Sequence, residues 1–369
     1  MKTYDEIISF DCLKEGLRKS CLGVMWKDSV ASYRLNAVKN TYKLRKDLLN
    51  GTYRIQQYYV FHISEPKDRE IVATRIRDRQ FQRSLCDNYL YEAVTKGFIH
   101  DNCACQIGKG VTFAHKRMGV HLRRYFNKHR NQGWVLQCDI AKYFPSTPHD
   151  SAKAAIRKRV EDDRIYKHVA DIIDSFGGDR GIGLGSQASQ LIELALLDDL
   201  DHYIKERLRI RYYVRYMDDF ILIHTDRAVL ENALCEIKEK VEHIGLKLNT
   251  KTQIYPLERG IKFLRWRYLL TTTGKIVRRM DKRSIVRERR KIKTIGAKVG
   301  RGELPERKLR ESYQSWRAHA QTGNTKSIVY KMDRLYCETL QTARKELRHG
   351  KSCRTGVGNS TGTTADNAG

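Results

Sequence analysis

The chain has 369 residues and a formal charge of +28, with 71 basic against 43 acidic side chains. That balance predicts a polyanionic partner, most simply nucleic acid, and the length supports two or three structural units with a substantial core. No apolar run approaches a membrane span and residues 1 to 6 lack the apolar centre of a signal peptide, so a cytoplasmic protein without membrane partners is expected; nine scattered cysteines with no C-x-x-C pair argue against a disulfide framework or a zinc finger.

Residues 1 to about 50 place apolar positions at helical spacing among many lysines and arginines, and Leu49-Asn50-Gly51-Thr52 closes them with a turn signal. Residues 53 to 63 read as extended and are broken by Ser64-Glu65-Pro66. A second strand follows, in which Lys67 and Arg69 share one face and offer two cations to whatever lies there. Asp78 and Arg79 open an amphipathic helix through Leu85, Tyr89, Tyr91 and Val94, and these charges read as solvated surface. Gly108-Lys109-Gly110 lacks the Walker spacing but suggests backbone approaching a phosphate or a template strand, ahead of a basic helix carrying His115, Lys116, Arg117, Arg123 and Arg124.

Between Trp134 and Ile140 apolar residues alternate with Val135, Gln137 and Asp139, so a strand here lifts the Asp139 carboxylate onto the face opposite Cys138. Phe144 stands five residues on, before the Pro145-Ser146-Thr147-Pro148 break. Helical segments through Ile156 and from 166 to 173 end at Gly177-Gly178. A Gly/Ser loop, residues 181 to 190, leads into a strongly apolar helix of residues 191 to 204, and its small residues give a ligand room to approach the backbone.

The run from Tyr212 to Ile223 sets aromatic and β-branched residues on both sides of Asp218-Asp219, the pattern of a hairpin with two carboxylates at its tip. Neighbouring acids repel unless a cation lies between them, and hard oxygen ligands suit Mg²⁺. A helix over 228 to 244, strands over 246 to 254 and 261 to 270, a basic helix beyond Gly274, and further helices over 309 to 340 with Tyr313, Trp316, Tyr330 and Tyr336 complete the pattern; the Gly, Ser, Thr and Asn content from Gly350 predicts a disordered tail. Asp139, Asp218 and Asp219 on two strands of a strongly basic chain suit two-metal phosphoryl transfer, which needs carboxylates bridging two ions about 3.5 to 4 Å apart.

Tyr216-Met217-Asp218-Asp219 resembles the Y-x-D-D box of reverse transcriptases, and the likeness spans about Lys67 to Tyr268. It implies an α+β right-hand polymerase. Fingers with an N-terminal helical extension would occupy 1–130, a ferredoxin-like palm 131–272 with a helical insertion near 150–180, a basic thumb 273–348, and the tail 349–369. It implies an RNA-directed DNA polymerase that takes an RNA template, a DNA or RNA primer and dNTPs. Two Mg²⁺, with Mn²⁺ as a substitute, would be held by Asp139, Asp218, Asp219 and the Ile140 backbone carbonyl.

By the same resemblance Phe144 is the aromatic gate against a ribose hydroxyl, Lys67 and Arg69 hold the incoming triphosphate, and Lys251 protonates pyrophosphate. Tyr216, Met217 and Lys109 would lie along the primer and template. Phe263-Leu264-Arg265-Trp266 resembles the primer-grip turn, with Arg265 where glycine is usual. Leu184-Gly185, with Ser189-Gln190, is similar to the [IVL]-G-x-x-x-S-Q box of diversity-generating retroelement enzymes, and Leu184, Gly185 and Gln190 would then border the nucleotide. That subfamily, bacterial or phage-encoded, copies template adenines with errors and acts with a small basic accessory oligomer. Group II intron-like, retron and phage-defence enzymes are the alternatives within the family, and a non-catalytic RNA-binding scaffold on the same fold is the alternative outside it.

Overall fold

The structure, a computed structural model, describes residues 1–64 and 68–355, with side chains described through Arg348. The chain divides into two units, the first Met1–Leu257 and the second beginning at Glu258. Lys67, expected to hold a triphosphate, lies outside the described residues, as does the stretch from 356 onward.

In the first unit the alternating run Trp134–Asp139 forms β3, at the centre of an antiparallel sheet. Tyr59–Ile63 and Arg69–Ala73 form the separate hairpin β1–β2. Tyr212–Tyr216 and Asp219–His224 form β4 and β5, Gln253–Pro256 forms β6, and the sheet order is β4-β5-β3-β6. Residues Phe220 to Ile223 of β5 are buried on both faces, which is why this strand reads as a continuous apolar run rather than an alternation. Leu136, Cys138, Tyr213, Phe220 and Leu222 pack in one core with Leu230, Ala233, Ile237 and Val241 of the helix Arg227–His243, whose N-terminus is capped by the Asp226 carboxylate accepting from Ala228 N (2.8 Å). A second core joins the N-terminal helices to Ile76–Leu85, His149–Arg157, Asp163–Asp174 and Gln187–Leu196.

In the second unit Ile261–Phe263 (β7), Trp266–Leu270 (β8) and Ile276–Met280 (β9) form an antiparallel meander, followed by the helices Lys282–Gly300, Glu306–Gln321 and Lys326–Thr355. Its interior is built from Phe263, Trp266, Met280, Ile292, Val299, Leu309, Tyr313 and Met332.

The mixed helix-and-sheet polymerase architecture agrees with the sequence expectation, and several local elements differ. The strand expected over 246–254 starts only at Gln253, because Asn249 closes a turn in which its side-chain oxygen accepts from Lys251 N (3.1 Å) and its carbonyl accepts from Thr252 N (2.9 Å). The segment 261–270, read as extended with a primer-grip-like turn at Phe263-Leu264-Arg265-Trp266, is a hairpin. The basic helix expected beyond Gly274 is preceded by β9 and starts at Lys282, where Asp281 caps it through Arg283 N (2.9 Å). The last helix runs through Gly350 to Thr355, where a disordered tail was expected. Asp78, expected on the surface, is fully buried: it accepts from the Tyr53 hydroxyl (2.8 Å) and Gln56 N (2.9 Å), and burial raises its pKa.

Candidate active site

β3 and β5 run antiparallel in a register that sets Asp139 directly opposite Asp219. β4 and β5 are joined by the two-residue turn Met217-Asp218, since Tyr216 pairs with Asp219. Hairpin loops this short need positive φ at a central residue, and Met217 supplies it at φ +56°, in the left-handed region that costs an L side chain on the order of 1 kcal/mol. Two carboxylates therefore face each other across neighbouring strands, and Asp218 sits in the turn beside them. Burial first, and then the charges of Asp139 and Asp218, push the Asp219 carboxyl up to about 7, against a lowering by the Gln137 amide at 3.5 Å.

Such a set of hard oxygens is the chemistry a divalent cation neutralises, so the residues fit magnesium as a donor set. Among the described residues no group of three acidic, histidine or cysteine side chains is close enough to hold an ion together. The sheet brings Asp139 and Asp219 opposite each other and leaves Asp218 as a neighbour in the turn. Ile140, whose carbonyl was expected to add a ligand, follows Asp139 at the end of β3 and bridges to Leu248.

The turn is braced from below by residues that sequence reasoning missed. Arg215 is fully buried and forms a bidentate ion pair with buried Asp201 (2.7 and 2.6 Å), and its third nitrogen donates to the Met217 carbonyl (3.1 Å). Tyr213 donates its hydroxyl to the same carboxylate (2.5 Å). An arginine inside an otherwise apolar strand was the available signal; Asp201, one of three aspartates among residues 198–201, offered none. The outer edge of β4 is covered by residues 101–103: Arg215 N donates to Asp101 O (3.0 Å) and Cys103 N to Arg215 O (2.9 Å). Asp101 itself, with Arg117, His121 and Lys205 around it, is held well below the usual carboxylate range; burial opposes the shift and the His121 bond leads the groups that produce it.

Phe144 is half-buried in the short helix Tyr143–Ser146, its ring edge-on to Tyr143 at 5.9 Å, and its carbonyl accepts from Ile182 N (2.8 Å). Below it the Tyr143 hydroxyl donates to Glu193 O (2.5 Å) and the Thr147 hydroxyl donates to the buried Glu193 carboxyl (2.9 Å). Burial pushes that carboxyl up to about 8. A lone glutamate inside the apolar run 191–197 was its signal. Arg69 is exposed at the start of β2, and Lys251 is exposed in the turn before β6.

Glycines 183 and 185, read from sequence as leaving space for a ligand, are closed instead against Val72 and, at Gly183, Phe176. Gln190 is exposed on the helix Gln187–Leu196, which is capped by Ser186 through Ala188 N (3.1 Å). Lys109 is turned to the backbone, its ammonium donating to Asn102 O (3.0 Å) and His100 O (3.3 Å). Phe263, Leu264 and Trp266 belong to the second unit, where Leu264 (φ +46°) and Arg265 (φ +70°) make the tight turn between β7 and β8; the arginine adopts the conformation a glycine would favour.

A four-stranded antiparallel sheet with paired aspartates on its central strands and a third in the adjoining turn is the palm of a template-directed polymerase. The family model described as reverse transcriptase (RNA-dependent DNA polymerase) matches residues 67–269, and the chain belongs to that family. No curated protein matches the chain. Among solved structures it is similar to apo telomerase from Candida tropicalis truncated from the C-terminal domain, at 12% identity and TM-score 0.47 over 66% of this chain and 60% of that one. It is also similar to telomerase from Candida albicans in complex with a TWJ fragment of telomeric RNA, at 10% identity and TM-score 0.48 over 85% and 63%. The chain thus spans under two thirds of those proteins.

Proposed function

We propose that the chain is an RNA-directed DNA polymerase that extends a primer along an RNA template with dNTPs. The cross-strand pairing of Asp139 with Asp219, with Asp218 one residue away, carries this reading. Those three carboxylates, with the Ile140 carbonyl, would hold two Mg²⁺, which supply activation of the 3′-hydroxyl and charge neutralisation of the leaving pyrophosphate. The protein's own groups bind and orient. Arg69 and Lys67 pair with the triphosphate, Phe144 fills the space a ribose 2′-hydroxyl needs, and Lys251 delivers a proton to pyrophosphate. In the second unit the β7–β8 turn with Phe263, Leu264 and Trp266 contacts the primer, and the basic helices beyond 273 serve as the thumb. No helix among the described residues is long and apolar enough to cross a membrane.

Purified protein with poly(rA) and oligo(dT) tests this: Mg²⁺-dependent dTMP incorporation that is lost in Asp139→Asn supports it, and RNA binding without synthesis in the unaltered chain favours a non-catalytic scaffold. Within the family we read the chain as the error-prone enzyme of a diversity-generating retroelement, supported by Leu184-Gly185 in the loop beside the gate and Ser189-Gln190 in the helix that follows it. A small basic accessory oligomer belongs to that reading. Sequencing cDNA copied from a mixed template decides it: errors concentrated at adenines support the subfamily, and uniform fidelity redirects it to group II intron-like, retron or phage-defence enzymes.

A further inference from the structure

The loop between Gly181 and Ser186 is bonded by its backbone on two sides. Gly181 N donates to Thr147 O (2.8 Å) and Ile182 N to Phe144 O (2.8 Å), which ties its start to the gate segment. Two residues on, Leu184 O accepts from Val72 N (2.9 Å) in β2, the strand that begins at Arg69. A Cβ on Gly183 would stand 2.5 Å from Phe176 Cε1 and 2.8 Å from Val72 Cβ; one on Gly185 would stand 2.9 Å from the Val72 carbonyl oxygen, at a φ of +133° that L side chains rarely adopt. Phe176 also carries the root of the hairpin, because Tyr58 stacks on it (5.0 Å) and meets Ser175 through its hydroxyl (2.6 Å).

No residue of β1 or β2 is fully buried. The hairpin therefore has no core of its own, and its position is set at the base, where Val72 lies on the two glycines. A two-stranded ribbon transmits a displacement along its length, and the three residue steps from Val72 to Arg69 span about 10 Å.

We infer that Gly183 and Gly185 are positioning residues that seat the β1–β2 hairpin on the gate loop, so that the absence of two Cβ atoms sets where Arg69 meets the incoming nucleotide. This rests on the polymerase reading above. Its consequence is confined to nucleotide binding, since the glycines touch the hairpin and not the aspartates.

The experiment is steady-state incorporation on a saturating RNA template and primer by the full chain, comparing Gly183→Ala, which keeps an ordinary φ, with Val72→Ala, which loosens the contact from the hairpin side. Circular dichroism first establishes that each variant is folded, and Val72→Ala alone decides if Gly183→Ala is not. The expected result is a KM for dNTP raised about tenfold in Gly183→Ala, and by less in Val72→Ala, with kcat within about twofold and template affinity unchanged. An unchanged KM in the folded variants, or a loss confined to kcat, overturns the inference. A wild-type chain that incorporates nothing overturns the polymerase reading itself.

Discussion

Arg215 and Asp201 meet in the interior as a bidentate ion pair with both side chains fully buried, and the guanidinium reaches on to the carbonyl of Met217 in the turn that carries Asp218. The strained turn is thereby tied to a charge that has nowhere else to go. Removing one partner strands the other charge, which costs about 3–5 kcal/mol, while replacing both by apolar residues of similar volume costs far less. Asp201→Ala and Arg215→Met should each lower stability by that amount. The double variant Arg215→Met, Asp201→Leu should recover much of it, and urea titration followed by tryptophan fluorescence reads the difference.

Glu193 gives the first unit a pH dependence of definite sign. Its folded-state pKa is raised from the ordinary carboxyl value to about 8, by burial first and further by the charge of Asp218, with Thr147 and Tyr143 opposing. The native state therefore holds a proton that the unfolded chain has lost above the ordinary carboxyl pKa. The contribution is complete below about 4.5 and disappears as pH rises through about 8, with a slope of up to about 1.4 kcal/mol per pH unit in between. Glu193→Gln should flatten that decline in stability between pH 5 and about 8; an unaltered slope would assign it to other groups.

Phe144 should govern sugar selection. Replacement by valine opens room beside the nucleotide's C2′, and kcat/KM for a ribonucleotide should rise at least about tenfold relative to the matching deoxynucleotide. Single-nucleotide addition with rUTP and dTTP on the same template measures the ratio. No change would remove Phe144 from the sugar pocket.

In the second unit Arg289, Arg290, Lys293 and Lys331 line an open pocket of about 400 Å³ together with Val286 and Leu335. Four cations gathered on two helices suit a phosphate backbone. Changing Arg289, Lys293 and Lys331 together to alanine should reduce the slope of log affinity against log salt by roughly 2 to 3 for an RNA–DNA duplex, each contact contributing about 0.9. Equal slopes for the two proteins would place the duplex elsewhere.

The hairpin that carries Asp218 and Asp219 was legible in the sequence because period-two alternation and two neighbouring acids are local signals. Tyr212 to Ile223 fold as read, and Asp139 falls on the strand that its alternation implied. What failed to show was whatever depends on distant partners. Asp78 looks like surface charge until Tyr53 and Gln56 arrive from another segment, and Arg215 looks like an interruption until Asp201 is placed beneath it. Gly183 and Gly185 signalled close approach, and the group that approaches them in the structure is β2, a neighbour the sequence does not name. The β7–β8 turn carries no glycine signal, because Leu264 and Arg265 take positive φ themselves, and only the resemblance of Phe263-Leu264-Arg265-Trp266 to a primer-grip turn pointed to it.

The proposal that Asp139, Asp218 and Asp219 together hold two ions is tested most directly by the single-turnover rate of first-nucleotide addition in Mg²⁺ by Asp219→Asn, set beside its affinity for the RNA template and primer. The account predicts a rate lower by on the order of a thousandfold or more, with nucleic-acid affinity within about twofold of the unaltered chain. Addition at an undiminished rate would contradict it.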